Sequence, residues 1–308
     1  MEILNRLNNI LVIDTKMFDL DHYNAAYLVV GKEIALIDTG LPSKLEVVRA
    51  AIKAHGFSVS DISYIFVTHC EHSDHSGNVA PLLRESPGAV VYINPLGLEY
   101  LIDPSKERLL KREQVTPEMW SRSGDPEPVP ISRIRFLKNG DTFDLGDGEK
   151  LKIFFTPGHQ PGGMVLLETK NRGLFINDLA GNCFPDSDAH YPLNPFRSNH
   201  FEAIKSLQEL NELQIDFLYL GHFGICDKPR QVITRAIDNM RQLLDMGKRC
   251  VLERKTEEIG PNLIALILPE LEKMRRVRGE AVYEYALRQH IPSQAKLFTR
   301  FCIETFSR

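Results

Sequence analysis

The stretch Thr68-His69-Cys70-Glu71-His72-Ser73-Asp74-His75-Ser76-Gly77-Asn78 decides how this 308-residue chain is read. It packs three histidines and two carboxylates into the seven residues from His69 to His75, in a chain with ten histidines in all. Neutral imidazoles and carboxylates together are the donor mixture that zinc and non-haem iron accept. A metal site is therefore expected here rather than a solvated polar loop. The stretch follows directly on Tyr64-Ile65-Phe66-Val67, an apolar run with the length and composition of a strand.

Working outward, the same arrangement recurs. IALIDTG (34–40), KIFFTPGH (152–159), GLFINDLAG (173–181) and FLYLGHFG (217–224) are also apolar runs that end in a short cluster bearing Asp or His. A strand inside a buried sheet must be apolar, so chemistry collects where strands leave it. Five such exits predict one shared site at one edge. AAYLVV (25–30), AVVYI (89–93) and MVLLE (164–168) read as further strands. Between them lie helical patterns, for example Leu45, Val48, Ala51 and Ile52, with Ser43 as the expected cap and Gly56 as the stop. This alternation predicts an α/β domain with helices covering sheets. Pro104, Pro117, Pro126, Pro128 and Pro130 crowd residues 104–130, which read as a loop-rich insertion. From about Gln231 the pattern is helical only: Ile233, Ala236, Ile237, Met240, Leu243 and Leu244 fall at helical spacing. Gly260-Pro261 breaks that pattern before further helices over 263–271 and 281–288. The expected division is residues 1–230 and a helical extension over 231–308.

The central stretch resembles the T-H-x-H-x-D-H-x-G motif of the metallo-β-lactamase superfamily. Asp38, His159, Asp178 and His222 stand in order where that family places its other landmarks, so the resemblance spans residues 34–224. It implies an αββα sandwich, here followed by an all-helical C-terminal extension, with the site where the strands exit. It also implies two divalent metal ions. One would be held by His69, His72 and His159, the other by Asp74, His75 and His222, with Asp178 bridging them. Asp38 would orient a ligating histidine rather than touch metal. Zinc is the expected metal, with iron or manganese as alternatives. The chain departs from the pattern at one point, because two residues separate His69 from His72 where the motif has one. A one-residue bulge keeps His72 as the ligand. Counting forward from His69 instead puts Glu71 in its place, as in flavodiiron proteins, and its harder oxygen would favour iron or manganese.

The chemistry expected of such a pair is hydrolysis. Bridged cations bring the pKa of bound water toward 7 and polarise a carbonyl or phosphoryl oxygen. Asp178 and Asp74 are the expected catalytic carboxylates. The helical tail and the substrate expected of it, a small-molecule thioester or lactone-like ester, resemble glyoxalase-II-like enzymes in architecture only. Tyr191, Phe184 and His190, on the segment after Asp178, are candidates to line the substrate pocket. His22, His55, His200 and His290 lie outside any motif and read as surface or satisfied core residues. Lys273, Arg275, Arg276 and Arg278 read as a solvated basic face, with an anion-binding patch as the alternative. Other readings of the fold are an iron-dependent redox enzyme resembling persulfide dioxygenases, a nuclease, or a ligand-sensing protein without catalysis.

Bulk properties narrow these. The net charge of −4 shows no basic excess of the kind a nucleic-acid partner requires. Five scattered cysteines, an odd number, fit a reducing cytosol better than a disulfide framework. The start of the chain has no basic-then-apolar leader pattern. Apolar runs such as LIALIL (263–268) fall short of the roughly 20 residues a membrane span needs. A cytoplasmic protein is expected, with no membrane partner and a homodimer through the helical tail as a possible assembly.

Overall fold

The computed structural model describes residues 6–114, 116–192, 197–222 and 224–307. Seven strands form the first sheet in chain order: β1 (Arg6–Leu7), β2 (Ile10–Asp14), β3 (Ala25–Val30), β4 (Ile34–Ile37), β5 (Ile62–Phe66), β6 (Val90–Ile93) and β7 (Ile134–Phe136). β1 to β4 pair antiparallel, and β4 to β7 are parallel. The parallel steps need crossovers. Helix α1 (Leu45–Ala54) supplies the first, α2 (Ser73–Ser76) and α3 (Val79–Glu85) the second, and α4 (Leu98–Ile102), α5 (Pro104–Gln114) and α6 (Pro117–Ser123) the third.

The second sheet comprises β8 (Thr142–Gly146), β9 (Glu149–Phe155), β10 (Met164–Glu168), β11 (Gly173–Asn177), β14 (Phe217–Leu220) and β15 (Ile225–Cys226), in the order β15-β14-β11-β10-β9-β8. A small hairpin, β12 (Asn182–Phe184) with β13 (Ala189–Tyr191), precedes α7 (His200–Asn211). The extension contains α8 (Pro229–Leu252), α9 (Ile259–Arg278), α10 (Glu280–Tyr285), a π-helical turn over Ala286–His290, and α11 (Ile291–Phe306).

Strand periodicity explains the layers. Along β2, Ile10 and Val12 enter the core between the sheets, while Leu11 and Ile13 face α1 and α3 on the outside. Ile153, Leu166, Phe175 and Tyr219 close the inner core from the second sheet. On its outer face, Val165, Leu174 and Leu218 pack against Leu207 of α7 and Ile233 and Ile237 of α8. The result is the αββα sandwich. Helix α8 serves two cores, because Leu243 and Cys250 join Leu263, Ile267, Leu271, Phe298 and Cys302 of the extension.

Several expectations change. The proline-rich segment 104–130 is not loop-rich throughout, since it contains α5 and α6. Pro104 and Pro117 sit at the first helical position, where a missing N–H costs nothing, and the Thr116 hydroxyl caps α6 by accepting from Met119 N–H at 3.2 Å. Ser43 does not cap α1. It lies in a short 3₁₀ turn, and its hydroxyl donates to the Arg122 carbonyl at 2.7 Å. Gly260-Pro261 opens α9 instead of breaking a helix. Of the basic residues named on α9, Lys273 pairs with Glu270, Arg275 with Glu272 and Glu280, and Arg278 with Asp186, while Arg275 and Arg276 are exposed in line with a solvated face. All five cysteines are buried thiols. Among the described residues no helix is long and apolar enough to cross a membrane.

Candidate metal centre

The strand exits do converge. Asp38 follows β4, His69 to His75 follow β5, His159 follows β9 and Asp178 follows β11, while His222 follows β14. Two groups of side chains form around the Asp178 carboxylate. One contains Asp74, His75, Asp178 and His222, and the other His69, His159 and Asp178. From Asp178 Oδ2 the distances are 3.4 Å to His75 Nε2, 3.5 Å to His159 Nε2 and 3.9 Å to His69 Nε2. Oδ1 lies 3.6 Å from His222 Nε2, and Asp74 Oδ2 lies 3.8 Å from His75 Nε2. These separations are long for hydrogen bonds. They suit a shared cation, because two donors each about 2.1 Å from one ion at a tetrahedral angle stand roughly 3.4 Å apart.

The buried polar atoms make the same point. His69 Nε2, Asp74 Oδ1 and Asp178 Oδ1 are buried without a hydrogen-bond partner. Groups of this kind are costly to bury unpaired, and divalent cations between them would satisfy them together. Burial and the neighbouring His75 push His69 well below the ordinary imidazole range, and burial does the same to His159, so both present lone pairs. Burial alone would raise Asp178, but His75 and His222 hold it well below the usual carboxylate range. Burial opposes protonation of His75 and His222, yet Asp178 outweighs it and raises both. A cation can replace those protons.

The supporting shell fixes the ligands. Asp38 sits in the left-handed region at φ 60°. Its Oδ1 accepts from Thr68 N–H at 2.8 Å, and its Oδ2 accepts from Thr68 Oγ1 at 2.8 Å and Asn177 Nδ2 at 2.8 Å. The same Oδ2 lies 3.1 Å from His75 Nδ1, which leaves Nε2 facing the carboxylates. His222 is oriented likewise, with Nδ1 donating to the Tyr23 carbonyl at 2.9 Å. Asn177 is itself at φ 54° and accepts from Asp178 N–H at 2.5 Å, locking the turn that presents Asp178.

At the ambiguous motif, neither His72 nor Glu71 falls within the two groups. Glu71 is fully buried, and its carboxylate accepts from Cys70 N–H at 3.0 Å and Gly162 N–H at 3.2 Å, outside both groups. His72 also stands outside both groups. It occupies the extended residue before α2, and its Nε2 lies 2.9 Å from the Gln160 side-chain nitrogen. The extra residue between His69 and Asp74 thus turns His72 toward Gln160, a fully buried residue that the sequence reading passed over.

A cavity opens above the two groups, walled by Met17, Phe18, Tyr23, Leu41, Met119 and Tyr285 together with His290 and Gln294. The structure moves Phe184, Tyr191 and His190 off this wall. Phe184 and Tyr191 are core residues packed behind Tyr23. His190 donates from Nε2 to the Ala180 carbonyl at 2.7 Å, and burial brings its pKa down to about 4. Conversely His290, expected at the surface or in the core, lines the cavity. The only sequence signal near Tyr23 is its place in an apolar-flanked DHYNAAY segment, and the residues from α6 and the extension carry none.

Comparison with known proteins bears on the family and the fold. The model of the family described as the metallo-beta-lactamase superfamily matches residues 19–222. The uncharacterised protein YobT of Bacillus subtilis (strain 168) is 29% identical over 216 residues, 68% of this chain and 87% of its own length. The flavo-diiron protein FprA2 of Clostridium acetobutylicum is 26% identical over 65% of this chain, which spans only 48% of that relative. Among solved structures, an archaeal metallo-beta-lactamase superfamily protein from Sulfolobus tokodaii superposes with a TM-score of 0.62 at 21% identity, covering 77% of this chain and 86% of that one.

Proposed function

The chain belongs to the metallo-beta-lactamase superfamily, and on that premise we propose that it is a dinuclear metal-dependent hydrolase of small-molecule esters, thioesters and lactones included. The observation that carries this reading is the pair of ligand groups sharing Asp178, with buried unpaired donor atoms turned toward one another. His69, His159 and Asp178 would hold one ion, and Asp74, His75, His222 and Asp178 the other. Bound there, divalent cations would acidify a water molecule and polarise the scissile carbonyl. Asp74 lines the cavity, and we assign to it the orientation of the attacking water and the acceptance of its proton. Asp38 and the Tyr23 carbonyl keep His75 and His222 in the tautomer that presents Nε2.

The test is turnover of 4-nitrophenyl, thioester and lactone substrates by metal-loaded protein and by Asp178→Ala. Ester turnover that Asp178→Ala abolishes supports the reading. Likeness to a flavo-diiron protein raises a redox alternative. Glu71, the residue that would have marked it, is instead engaged by backbone amides. Oxygen consumption by iron-loaded protein, without ester turnover, would favour that alternative.

A further inference from the structure

The C-terminal extension reaches the metal centre in two ways. It roofs the cavity with Tyr285, His290 and Gln294. It also holds the loop between β2 and β3 that carries Tyr23, and this second contact bears on one ligand group.

The loop does not keep its shape by itself. Lys16, Phe18, Asp19 and His22 all have φ between 49° and 62°, the left-handed region that L residues keep only when their surroundings impose it. His22 is held through both of its backbone polar groups. Its N–H donates to Asp14 Oδ2 at 3.0 Å, and its carbonyl accepts from the Arg278 guanidinium. Arg278, the last residue of α9, is itself fixed by Asp186, which accepts from Nε at 2.9 Å and from Nη2 at 3.0 Å. The guanidinium also lies 4.5 Å over the Phe184 ring, which stacks on Tyr23 at 5.9 Å between centroids. Tyr285 meets the Tyr23 ring edge-on at 5.4 Å.

Tyr23 is thus fixed through the peptide before it and through its ring. What it presents to the metal centre is its backbone carbonyl, 2.9 Å from His222 Nδ1. A carbonyl oxygen only accepts, so Nδ1 carries a proton in this contact and Nε2 is the nitrogen left for an ion. His222 belongs to the group with Asp74, His75 and Asp178. The other histidines, His69 and His159, follow the exits of β5 and β9 instead.

We propose that Arg278 is a positioning residue for the ion held by Asp74, His75, His222 and Asp178. By fixing the His22–Tyr23 peptide it aims the carbonyl that orients His222, so the extension sets the affinity of one ion and not of the other. This rests on the two-ion reading of the site and is independent of the reaction catalysed there. Arg278 lies outside the family match, which ends at residue 222.

The test is titration of metal-free, full-length protein with cobalt(II), followed by the visible absorption of each bound ion. The parent should bind two ions, and His222→Ala identifies the spectrum and affinity of the one that depends on His222. Arg278→Ala should weaken that same ion by about tenfold and leave the other unchanged. Arg278→Lys keeps a charge opposite Asp186 but lacks the planar fork that serves Asp186 and the His22 carbonyl together. It should recover most of the stability and little of the cobalt affinity, and it decides the matter where Arg278→Ala does not fold. Parent-like affinity for both ions in either variant overturns the positioning role. Equal weakening of both ions, the mark of a general loosening of the fold, overturns it too. A parent chain that takes up fewer than two cobalt ions removes the two-ion reading and this inference with it.

Discussion

Asp38 shows how much of the site depends on residues that would never touch a metal. Its two oxygens collect Thr68, Asn177 and His75, so one carboxylate fixes the strand exit, the Asp178 turn and a ligand ring together. Asp38→Asn should leave the fold intact and weaken metal binding by about 10- to 100-fold, as read by competition with a chromophoric chelator. His69 and His72 separate in the same assay. His69→Ala should cost one ion per chain, whereas His72→Ala should retain both, because His72 faces Gln160 and lies outside the ligand groups. Most of the side chains that converge on Asp178 were legible in the sequence, since their segments follow apolar strands. The His72 position was not. Spacing along a chain does not say which way one inserted residue turns its neighbour. Gln160 and Asn177 lay in view beside His159 and Asp178 but carried no metal-ligand chemistry of their own.

At the level of elements, a buried ion pair reinforces the apolar core that joins the extension to the sandwich. Arg278, the last residue of α9, meets Asp186 of the β12–β13 loop with Nε–Oδ2 at 2.9 Å and Nη2–Oδ1 at 3.0 Å. The pair is nearly shielded from water, with side-chain exposures of 5% and 8%. The same guanidinium lies 4.5 Å over the Phe184 ring and donates to the carbonyl of His22, next to Tyr23. Removing one partner of a buried pair leaves the other uncompensated, at a cost of about 3–5 kcal/mol. Arg278→Ala should therefore unfold at markedly lower denaturant than the parent, and should lose ester turnover before the sandwich melts, because the clamp positions Tyr23 and the roof. Equal denaturation midpoints would contradict this. All eight strands read from the sequence are present, because each combines β-branched or aromatic residues with a turn. The weaker strands β1, β7, β12, β13 and β15 are too short to show a period, and β2 and β8 were passed over despite adequate length. The helices α5 and α6 were hidden by prolines that mark helix starts as readily as loops.

Across the whole molecule, the end of the second sheet remote from the metal centre carries a buried carboxyl pair. Glu149 on β9 and Glu168 on β10 are both inaccessible to water. Glu168 accepts from Asn171 N–H at 2.8 Å and the Tyr219 hydroxyl at 3.1 Å, whereas Glu149 has the Asn9 amide on Oε2 and nothing on Oε1. Burial, with Glu168 nearby, raises Glu149 from 4.5 to about 7. The folded state therefore binds this proton more tightly than the unfolded one. Its contribution to stability is full below pH 4.5 and is lost as pH rises through about 7. Glu149→Gln should flatten that dependence, so its melting temperature should gain on the parent between pH 5 and pH 8. A constant difference would show that the pair does not titrate there. The overall architecture followed from the alternation of strands and helices, but the roof could not be read. Met119, Tyr285, His290 and Gln294 reach the cavity only because α6 and the extension fold back over it, and long-range packing leaves no local pattern. The most direct measurement is metal content by mass spectrometry on protein purified without added metal, beside Asp178→Ala. Two divalent ions per chain, lost in the variant, are predicted by a carboxylate shared between both ligand groups. A parent chain that binds no metal, even after incubation with zinc, iron or manganese, would contradict it.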